Sequence, residues 1–415
     1  MSSKIDYNHL IQADKVHGSL YTDEAIYEEE MEKIFYNGWV YIGHESEIKK
    51  SGDFVARDIG RSAVIMVRDK KGAVNVMVNR CAHRGNNLCN ETDGNKRNFE
   101  CLYHGWIFGL DGQLLDVPFP DGFEKDKKDH GLQKLVTESY RGFVFGYFNK
   151  PSVSFDEYLG KGKGLIDRAC DLSPEGEIDL TGGWVRQKFD SNWKMLPEND
   201  TDGYHLEFVH KSFVQVIPSQ YNEFVGDESK NEGVIRDLGM GHTELEFANG
   251  YVNRLDWLGS TVEKQPKYVE NMHEAYGQEE GDKRLFNGPP HSCIFPNLFL
   301  AEMNIVIFQP TSANSCIQWS TPMFLKGVPE INFKLLRQSE GALGPAAFLL
   351  ADDATIAERA QKALQAGTPW CDLSRGLNRE IIRDDGVKEG RMSDETSNRG
   401  FWHHYRSVML EGVQS

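Results

Sequence analysis

The stretch CAHRGNNLCNETDGNKRNFECLYHGW, residues 81–106, determines what the surrounding region can be. It contains two short segments that each hold one cysteine and one histidine: Cys81 with His83, and Cys101 with His104. The two residues of each pair are close enough in sequence to share one tight loop. Each loop can therefore offer one thiolate and one imidazole to metal. The stretch predicts a metal centre that two loops hold between them.

Two kinds of metal centre use this donor set. A Cys2His2 zinc site has the same ligand types, but zinc motifs usually pair Cys with Cys and His with His. A Rieske [2Fe–2S] centre binds one iron through two thiolates and the other through two imidazoles, so it needs one Cys and one His from each loop. The arrangement favours the Rieske centre. Cys89 lies between the loops but outside the pattern, and we expect it to be a small packing residue.

A second group of chemically active residues lies in NWKMLPENDTDGYHLEFVH, residues 192–210. His205 and His210 are five residues apart, which on an ideal helix places them about 140° apart around the axis. Both rings can meet one ion only if the helix is distorted or ends between them. Spacing alone also fits two unrelated surface or core histidines.

Longer strings around these residues resemble Rieske-type ring-hydroxylating oxygenases. CAHRGN (81–86) and CLYHGWIFGLDGQLLDVP (101–118) resemble their Rieske module, and the pattern N-x-x-D-x-Y-H-x4-H from Asn199 to His210 resembles the catalytic domain of their large subunits. The resemblance extends to residues 26–48, to IFPNL (294–298) and to RGFWHHYRSVM (399–409). The string LGPAAFLLADD (343–353) most resembles large subunits that act on benzoate-, cumate- or phthalate-like compounds.

The resemblance implies two iron centres in one chain. Their ligands would be Cys81, His83, Cys101 and His104 for a Rieske cluster, and His205, His210 and Asp353 for mononuclear Fe(II). The family pattern has paired acids that open a helix and a Gln eight residues after the ligand. Gln361 stands eight residues after Asp353, which favours Asp353 over its neighbour Asp352. The two acids also suit a helix N-terminus without any metal, and Asp384 with Asp385 forms a rival pair.

The resemblance also implies roles beyond metal binding. Asp202, Asn199 and Tyr204 are candidate catalytic residues, although some relatives have one more residue between the Asn and the Asp. Asp202 would bond His205 of its own chain and His104 of the partner subunit, because metal-bound imidazoles usually give their second N–H to a carboxylate. We expect four apolar residues to line the substrate cavity, with plain core packing as the alternative: Val209, Phe213, Ile294 and Leu300.

Composition excludes several other classes of protein. The 415 residues are 39% hydrophobic and carry a net charge of −17. A nucleic-acid-binding protein would need a basic surface, which this balance disfavours. The sequence shows no signal peptide and no apolar run of spanning length. Seven scattered cysteines do not suggest a disulfide framework, so we expect a reducing cytoplasm.

The chain is long enough for two domains, and we predict an α+β protein. Residues 1–38 are expected to form a helical segment that packs on the catalytic domain, 39–152 a small all-β Rieske domain, and 153–415 a larger catalytic domain. That larger domain should contain an antiparallel sheet flanked by helices. Predicted helices cover 22–36, 191–213, 353–365 and 400–410, and 160–164 is predicted to be a loop. Strands are predicted at 64–67, 74–78, 106–108, 142–148, 293–300 and 304–309.

The activity that the resemblance implies is that of a terminal oxygenase component. Electrons from NAD(P)H would arrive through a reductase, with or without a ferredoxin, and O2 would be inserted into an aromatic or aromatic carboxylate substrate to give a cis-dihydrodiol. Large subunits of this kind form trimers, often with three small subunits. A monooxygenase or an O- or N-demethylase on the same scaffold is the first alternative. An electron carrier or a zinc-stabilised binding module would use only the first donor set.

Overall fold

The computed structural model of the protein describes residues 5–124, 126–214, 233–344, 348–367 and 370–411. The chain divides into two compact units. One unit is Ile34–Phe155, and the other combines Met1–Lys33 with Asp156–Ser415. These limits differ by a few residues from the boundaries that we predict from the sequence.

The α-helices are short before residue 260 and mostly longer after it. They are α1 Tyr7–Leu10, α2 Ser19–Thr22, α3 Glu24–Glu30, α4 Phe155–Leu159, α5 Gly162–Cys170, α6 Met195–Asp200, α7 Leu206–Val209, α8 Lys211–Val214, α9 Pro266–Tyr276, α10 Gln278–Asn287, α11 Pro329–Leu343, α12 Phe348–Leu364 and α13 Thr396–Leu410. A π-helical turn, Met31–Phe35, follows α3 directly.

The described strands pair in antiparallel fashion. They are β1 Lys15–His17, β2 Val40–His44, β3 Asp53–Ile59, β4 Ser62–Arg68, β5 Val74–Val78, β6 Asp93–Asn95, β7 Phe99–Glu100, β8 Ile107–Phe108, β9 Leu114–Asp116, β10 Val136–Tyr140, β11 Phe143–Tyr147, β12 Ile178–Asp179, β13 Val185–Phe189, β14 Val234–Gly239, β15 His242–Glu246, β16 His291–Ile294, β17 Leu298–Ala301, β18 Asn304–Ser312, β19 Ser315–Pro322, β20 Phe324–Leu325, β21 Trp370–Asp372, β22 Ile381–Ile382 and β23 Lys388–Arg391.

The unit Ile34–Phe155 is built from three small sheets, with strand orders β5-β4-β3-β6, β7-β8-β9 and β10-β11-β2. The predicted hairpin between β4 and β5 is present. Its turn is closed by the Asp69 carboxylate, which accepts hydrogen bonds from the backbone N–H groups of Lys71 and Ala73. Short strands joined by tight turns make this unit all-β, as its β-rich runs predict.

The larger unit contains a nine-stranded antiparallel sheet in the order β13-β19-β18-β17-β16-β15-β14-β23-β22. Its strands near the centre are almost wholly buried, because helices cover them. The presence of a small all-β unit and a larger unit of antiparallel sheet and helices confirms the predicted α+β class.

Alternation along the strands gives the large sheet two distinct faces. His291 and Cys293 of β16 face α6, since His291 Nε2 lies 2.7 Å from the backbone oxygen of Asp200. Ile294 points the other way, toward α5, where a Cβ atom added to Gly162 would lie 3.7 Å from its Cδ1. The face that packs against α6 is therefore the one that matters for the histidines that follow α6.

Several predicted elements differ from the observed ones. The single strand predicted at 293–300 is wrong: β16 and β17 form a hairpin that reverses at Phe295–Asn297. The loop predicted at 160–164 is also wrong in its second half, where α5 begins at Gly162. The helix predicted over 191–213 is three short helices, and the one predicted from residue 353 already runs from Phe348.

The N-terminal segment joins the larger unit through a buried carboxylate. The Glu30 side chain accepts hydrogen bonds from Trp193 Nε1 and Tyr405 Oη and forms an ion pair with Lys194 at 2.5 Å. Glu30 and Lys194 have no exposed side-chain surface. A fully buried charge pair with further hydrogen bonds fixes this segment on the sheet-and-helix unit. Among the described helices, none has the length and apolar character that a membrane crossing requires.

Candidate metal centres

The two Cys–His loops of the smaller unit have the same backbone turn. In the first loop, the Gly85 N–H donates to the Cys81 carbonyl oxygen at 3.0 Å, and in the second Gly105 does the same to Cys101 at 2.8 Å. Both glycines have positive φ, 75° and 67°, a conformation that side chains with a Cβ rarely adopt. The glycine that follows each Cys–His pair thus lets the loop close.

The four side chains of these loops converge. The two cysteines are buried, with exposures of 2% and 1%, and the two histidines are partly exposed. His83 Nδ1 and His104 Nδ1 lie 3.1 Å apart. Two nitrogen ligands on one tetrahedral ion would be about 3.4 Å apart, so the rings are placed for a shared iron. The His83 ring also stacks on Trp106, with 4.9 Å between centroids, which fixes its orientation.

The two thiols differ in acidity. Burial raises the pKa of the Cys81 thiol. Burial also opposes ionisation of Cys101, but hydrogen bonds from the backbone N–H of Tyr103 and from the Cys81 thiol outweigh it and lower the pKa of Cys101. A thiolate is the form that binds metal. Cys89 is buried in the same core cluster and its Sγ lies 3.1 Å from Glu91, so it packs outside the donor set.

The larger unit brings His205, His210 and Asp353 together. One potential ligand atom from each of the three side chains lies within 4.8 Å of the others. Asp353 Oδ1 is 3.2 Å from His210 Nε2 and 3.7 Å from His205 Nε2. Ligands at right angles on one ion lie about 3 Å apart. The group therefore has the composition and nearly the spacing of a two-histidine, one-carboxylate iron site.

A broken helix explains how two histidines five residues apart can meet. The intervening helix α7 is only Leu206–Val209, with His205 before its first residue and His210 after its last. The backbone leaves regular helical geometry at His210, where φ is −95° and ψ is 26°. A regular helix would have turned the two rings apart, and this interruption gives 5.2 Å between their centroids.

Partners of the two histidines set their orientation and charge. His205 Nδ1 lies 3.3 Å from Asp202 Oδ2, which leaves Nε2 free to face Asp353. Burial disfavours the charged form of His210, but Asp353 and Asp352 outweigh burial and raise the pKa of His210. Asp353 Oδ1 and His210 Nδ1 are buried, and no hydrogen-bond partner for either exists among the described residues.

The two neighbouring acids on α12 are not equivalent. Asp353 Oδ1 faces both histidine Nε2 atoms, whereas the nearest contact of Asp352 with a ligand is at 3.7 Å, to His210 Nδ1. Asp352 is also more exposed, at 37% against 14%. Neither acid opens the helix, because α12 starts at Phe348, so that part of the sequence expectation is wrong. The rival Asp385 instead pairs with Lys161 at 2.6 Å on the surface.

Gln361 links the helix that carries Asp353 to the segment that leads to the histidines. It is 2% exposed, and its Oε1 accepts the backbone N–H of Asn192 at 2.9 Å. Its Nε2 donates to the Tyr21 carbonyl oxygen and to Asn314 Oδ1. The residue that serves as a sequence marker for Asp353 thus has a structural role of its own.

The remaining predicted site residues are placed as follows. Asn199 is partly buried on α6, and the exposed Tyr204 ring packs under Arg375 at 4.2 Å. Their catalytic roles stay predictions.

The four predicted cavity residues do not share one location. Val209 is partly buried on α7, between the two histidines, while the side chain of Phe213 lies outside the described residues. Ile294 and Leu300 are buried on the sheet face that points away from α6. Ile294 alternates with Cys293, which faces α6, and Leu300 pairs with Ser292, which is on the same face as Ile294. This arrangement does not favour a cavity role for Ile294 and Leu300, because strand register turns them from the histidines.

Sequence reasoning missed a polar group on the face that packs against α6. His291 lies on that face, next to Asp200 of α6 and near Glu302. The atoms His291 Nδ1 and Glu302 Oε1 are 3.8 Å apart. The alternation of side chains along β16 could have indicated that His291 faces α6, but only if the position of the β16–β17 turn were known. Glu302 occupies that sheet's next hairpin turn, for which the sequence gives no signal.

A Rieske-type donor set and a two-histidine, one-carboxylate set in one chain are typical of a Rieske non-haem iron oxygenase. Comparison with known families agrees with this class. Residues 38–135 match the Rieske [2Fe-2S] domain, and residues 176–411 match the catalytic domain of the ring hydroxylating alpha subunit. The chain belongs to the family of ring-hydroxylating oxygenase alpha subunits, which are oxidoreductases.

Individual relatives span nearly the whole chain. The anthranilate 1,2-dioxygenase large subunit of Acinetobacter baylyi is 32% identical, over 95% of this chain and 89% of its own length. The 2-halobenzoate 1,2-dioxygenase large subunit of Burkholderia cepacia is 29% identical, over 98% and 93%. A solved structure of a naphthalene 1,2-dioxygenase mutant bound to phenanthrene is 25% identical, with a TM-score of 0.86 over 98% of this chain and 96% of that one.

Proposed function

We propose that this chain is the large subunit of a ring-hydroxylating dioxygenase in which Cys81, His83, Cys101 and His104 hold a Rieske cluster and His205, His210 and Asp353 hold Fe(II). The convergence of His205, His210 and Asp353 carries the proposal. Residues 39–152 would form the cluster domain, and 153–415, with the N-terminal segment 1–38, the catalytic domain. Such a site is what separates an oxygenase from an electron carrier, which needs only a cluster.

The residues present fit the metal. Asp353 Oδ1 and His210 Nδ1 are buried, and no described residue hydrogen-bonds to either atom. A bound metal ion would explain why the Asp353 oxygen is buried without a hydrogen-bond donor. The donor set of two imidazoles and one carboxylate suits Fe(II), which when bound supplies open positions for O2 and activates it with electrons that derive from NAD(P)H. Those electrons would reach the chain through a reductase, with or without a ferredoxin.

Asp202 is the residue to which we assign the connection between the two centres. Its Oδ2 holds His205 Nδ1, and its Oδ1 accepts the backbone N–H of Tyr204 at 2.6 Å. One fifth of its side chain, 21%, remains exposed. We infer that this exposed edge receives His104 of the partner subunit in a ring of three large subunits, so that the cluster of one subunit serves the iron of the next. A small subunit would complete the assembly.

We assign dioxygenation of an aromatic ring to a cis-dihydrodiol as the reaction. The roles of this chain are to hold the ring beside the triad, to exclude water and to fix the His205 tautomer through Asp202. All seven cysteines are free, which suits a reducing cytoplasm.

The test is turnover under labelled O2 with a reductase, NADH and an aromatic compound. Two labelled oxygen atoms in one product molecule support dioxygenation. One labelled atom, or loss of a methyl group, would move the chain to the monooxygenase or demethylase alternative, and a chain that produces none of these is not an oxygenase.

A further inference from the structure

His291 is a half-buried histidine that the roles assigned above do not use. Its Nε2 lies 2.7 Å from the backbone carbonyl oxygen of Asp200. A carbonyl oxygen only accepts hydrogen bonds, so Nε2 carries the ring proton and donates it. The other nitrogen, Nδ1, is then an acceptor with a lone pair. Burial lowers the pKa of His291 to about 4, which keeps the ring neutral near neutral pH.

The Nδ1 acceptor lacks a donor. It is buried, and no residue in the described part of the chain hydrogen-bonds to it. The nearest side-chain oxygen, Glu302 Oε1, is 3.8 Å away, beyond hydrogen-bond length. A buried acceptor without a donor is costly, so a group that donates to it would be bound favourably.

Glu302 is held next to His291 in an unusual way. It stands in the two-residue turn between β17 and β18 with a φ of 54°, a left-handed conformation that is uncommon for a residue with a Cβ. Burial raises the pKa of Glu302 to about 7. The side chains of His291 and Glu302 nevertheless keep 22% and 27% of their surface accessible. Both side chains are therefore within reach of a small molecule.

This polar group is a neighbour of the metal triad. Asp200 is the last residue of α6, five positions before His205. Burial and then the charge of Asp353 raise the pKa of Asp200, and the charge of His205 reaches His291. Asp200 Oδ2 is, like His291 Nδ1, a buried atom without a partner among the residues described.

We propose that His291, with Glu302 beside it, is a specificity site that accepts a hydrogen bond from a hydroxyl or amino substituent on the aromatic substrate. The proposal rests on the proposed function and names its substrate class. The group at this site that lacks a hydrogen-bond donor is His291 Nδ1. A substrate carboxylate carries no N–H or O–H and cannot donate to His291 Nδ1, whereas a hydroxyl or amino group can. The structure therefore favours a ring with a donor over the aromatic carboxylate that the sequence resemblance suggests.

The affinity of the purified, iron-loaded protein for small aromatic probes, measured without O2 or reductant, tests this proposal. The probes are phenol, aniline, toluene and benzoate, which are benzene rings that differ only in their single substituent. Phenol and aniline should bind about tenfold more tightly than toluene, the effect of one satisfied buried acceptor. Benzoate should bind no better than toluene.

Two variants locate the effect. His291→Phe keeps an aromatic ring but removes the acceptor, so the preference for phenol and aniline over toluene should disappear while toluene binding remains. Glu302→Gln provides an amide N–H that can satisfy His291 Nδ1, so it should reduce the same preference even if His291→Phe does not fold. His403→Phe, on the exposed side of α13, is the matched control and should keep the wild-type preference.

Three results would overturn the proposal: equal binding of phenol and toluene to the wild type, a preference that both variants retain, or a preference for benzoate. Failure of the proposed function looks different. In that case the reductase-coupled enzyme oxygenates none of the four probes, whatever their order of affinity.

Discussion

Replacement of Gln361 tests whether the helix that carries Asp353 is anchored by one side chain. Gln361 makes three hydrogen bonds, which join α12 to the segment before α6, to the N-terminal segment and to Asn314 between β18 and β19. Leucine has a similar volume but no polar atoms. In Gln361→Leu, the Asn192 N–H and the Tyr21 carbonyl oxygen would stay buried without their partner.

The cost can be worked from these contacts. Two buried backbone groups left unsatisfied lower the free energy of unfolding by about 3 kcal/mol, at about 1–2 kcal/mol each. For a unit of this size that loss corresponds to a fall in Tm of roughly 6 °C. Because α12 also carries Asp353, iron should be bound about tenfold more weakly, as for other residues that support metal ligands.

Thermal denaturation and iron titration of the purified protein measure both effects. Gln365→Leu is the matched control: Gln365 directly follows the last residue of α12, is exposed, and makes one 3.4 Å contact with Asn314. We expect the control to be close to wild type in Tm and iron affinity. If Gln361→Leu behaves as Gln365→Leu does in both measurements, Gln361 does not anchor α12.

Three further predictions concern ionisable side chains. Lys194→Met leaves Glu30 as an uncompensated buried charge and should lower the free energy of unfolding, measured by urea denaturation, by about 3–5 kcal/mol. Adding Glu30→Gln should restore part of that stability, and no recovery would contradict the pairing. Burial raises the pKa of Glu198 from 4.5 to about 7, so the folded state binds the proton more tightly and stability falls as pH rises through that window. Glu198→Gln should remove on the order of 3 kcal/mol of this pH dependence, and an unchanged profile of Tm against pH would refute it. Asp202→Asn should weaken iron binding about tenfold by removing the carboxylate from His205, and wild-type iron affinity would argue against that contact.

The metal ligands could be predicted from the sequence because their signals are local. Cys81 and His83 share one turn, as do Cys101 and His104, so their convergence requires only that two similar loops meet. Asp353 is distant in sequence, and its assignment depended on resemblance rather than on physical pattern. The structure supplies the physical reason, since α12 lies against α7 through tertiary packing that no periodicity encodes.

The substrate side of the site could not be predicted in the same way. Which residues of β16 and β17 face α6 depends on the position of the turn between them, and a shift of one residue exchanges the two faces. The run from residue 293 to 300 is apolar except for Asn297, so it shows no alternation that would place Ile294. His291 and Glu302 meet only because two hairpin turns bring them together, and that pairing is a property of the folded sheet.

The most direct test of the account is the iron content of two neighbouring variants, Asp353→Asn and Asp352→Asn. We predict that Asp353→Asn keeps the visible spectrum and the two irons of the cluster but loses the mononuclear iron, whereas Asp352→Asn keeps all of its iron. Full iron content in Asp353→Asn, or loss of the mononuclear iron from Asp352→Asn alone, would contradict the site made of His205, His210 and Asp353.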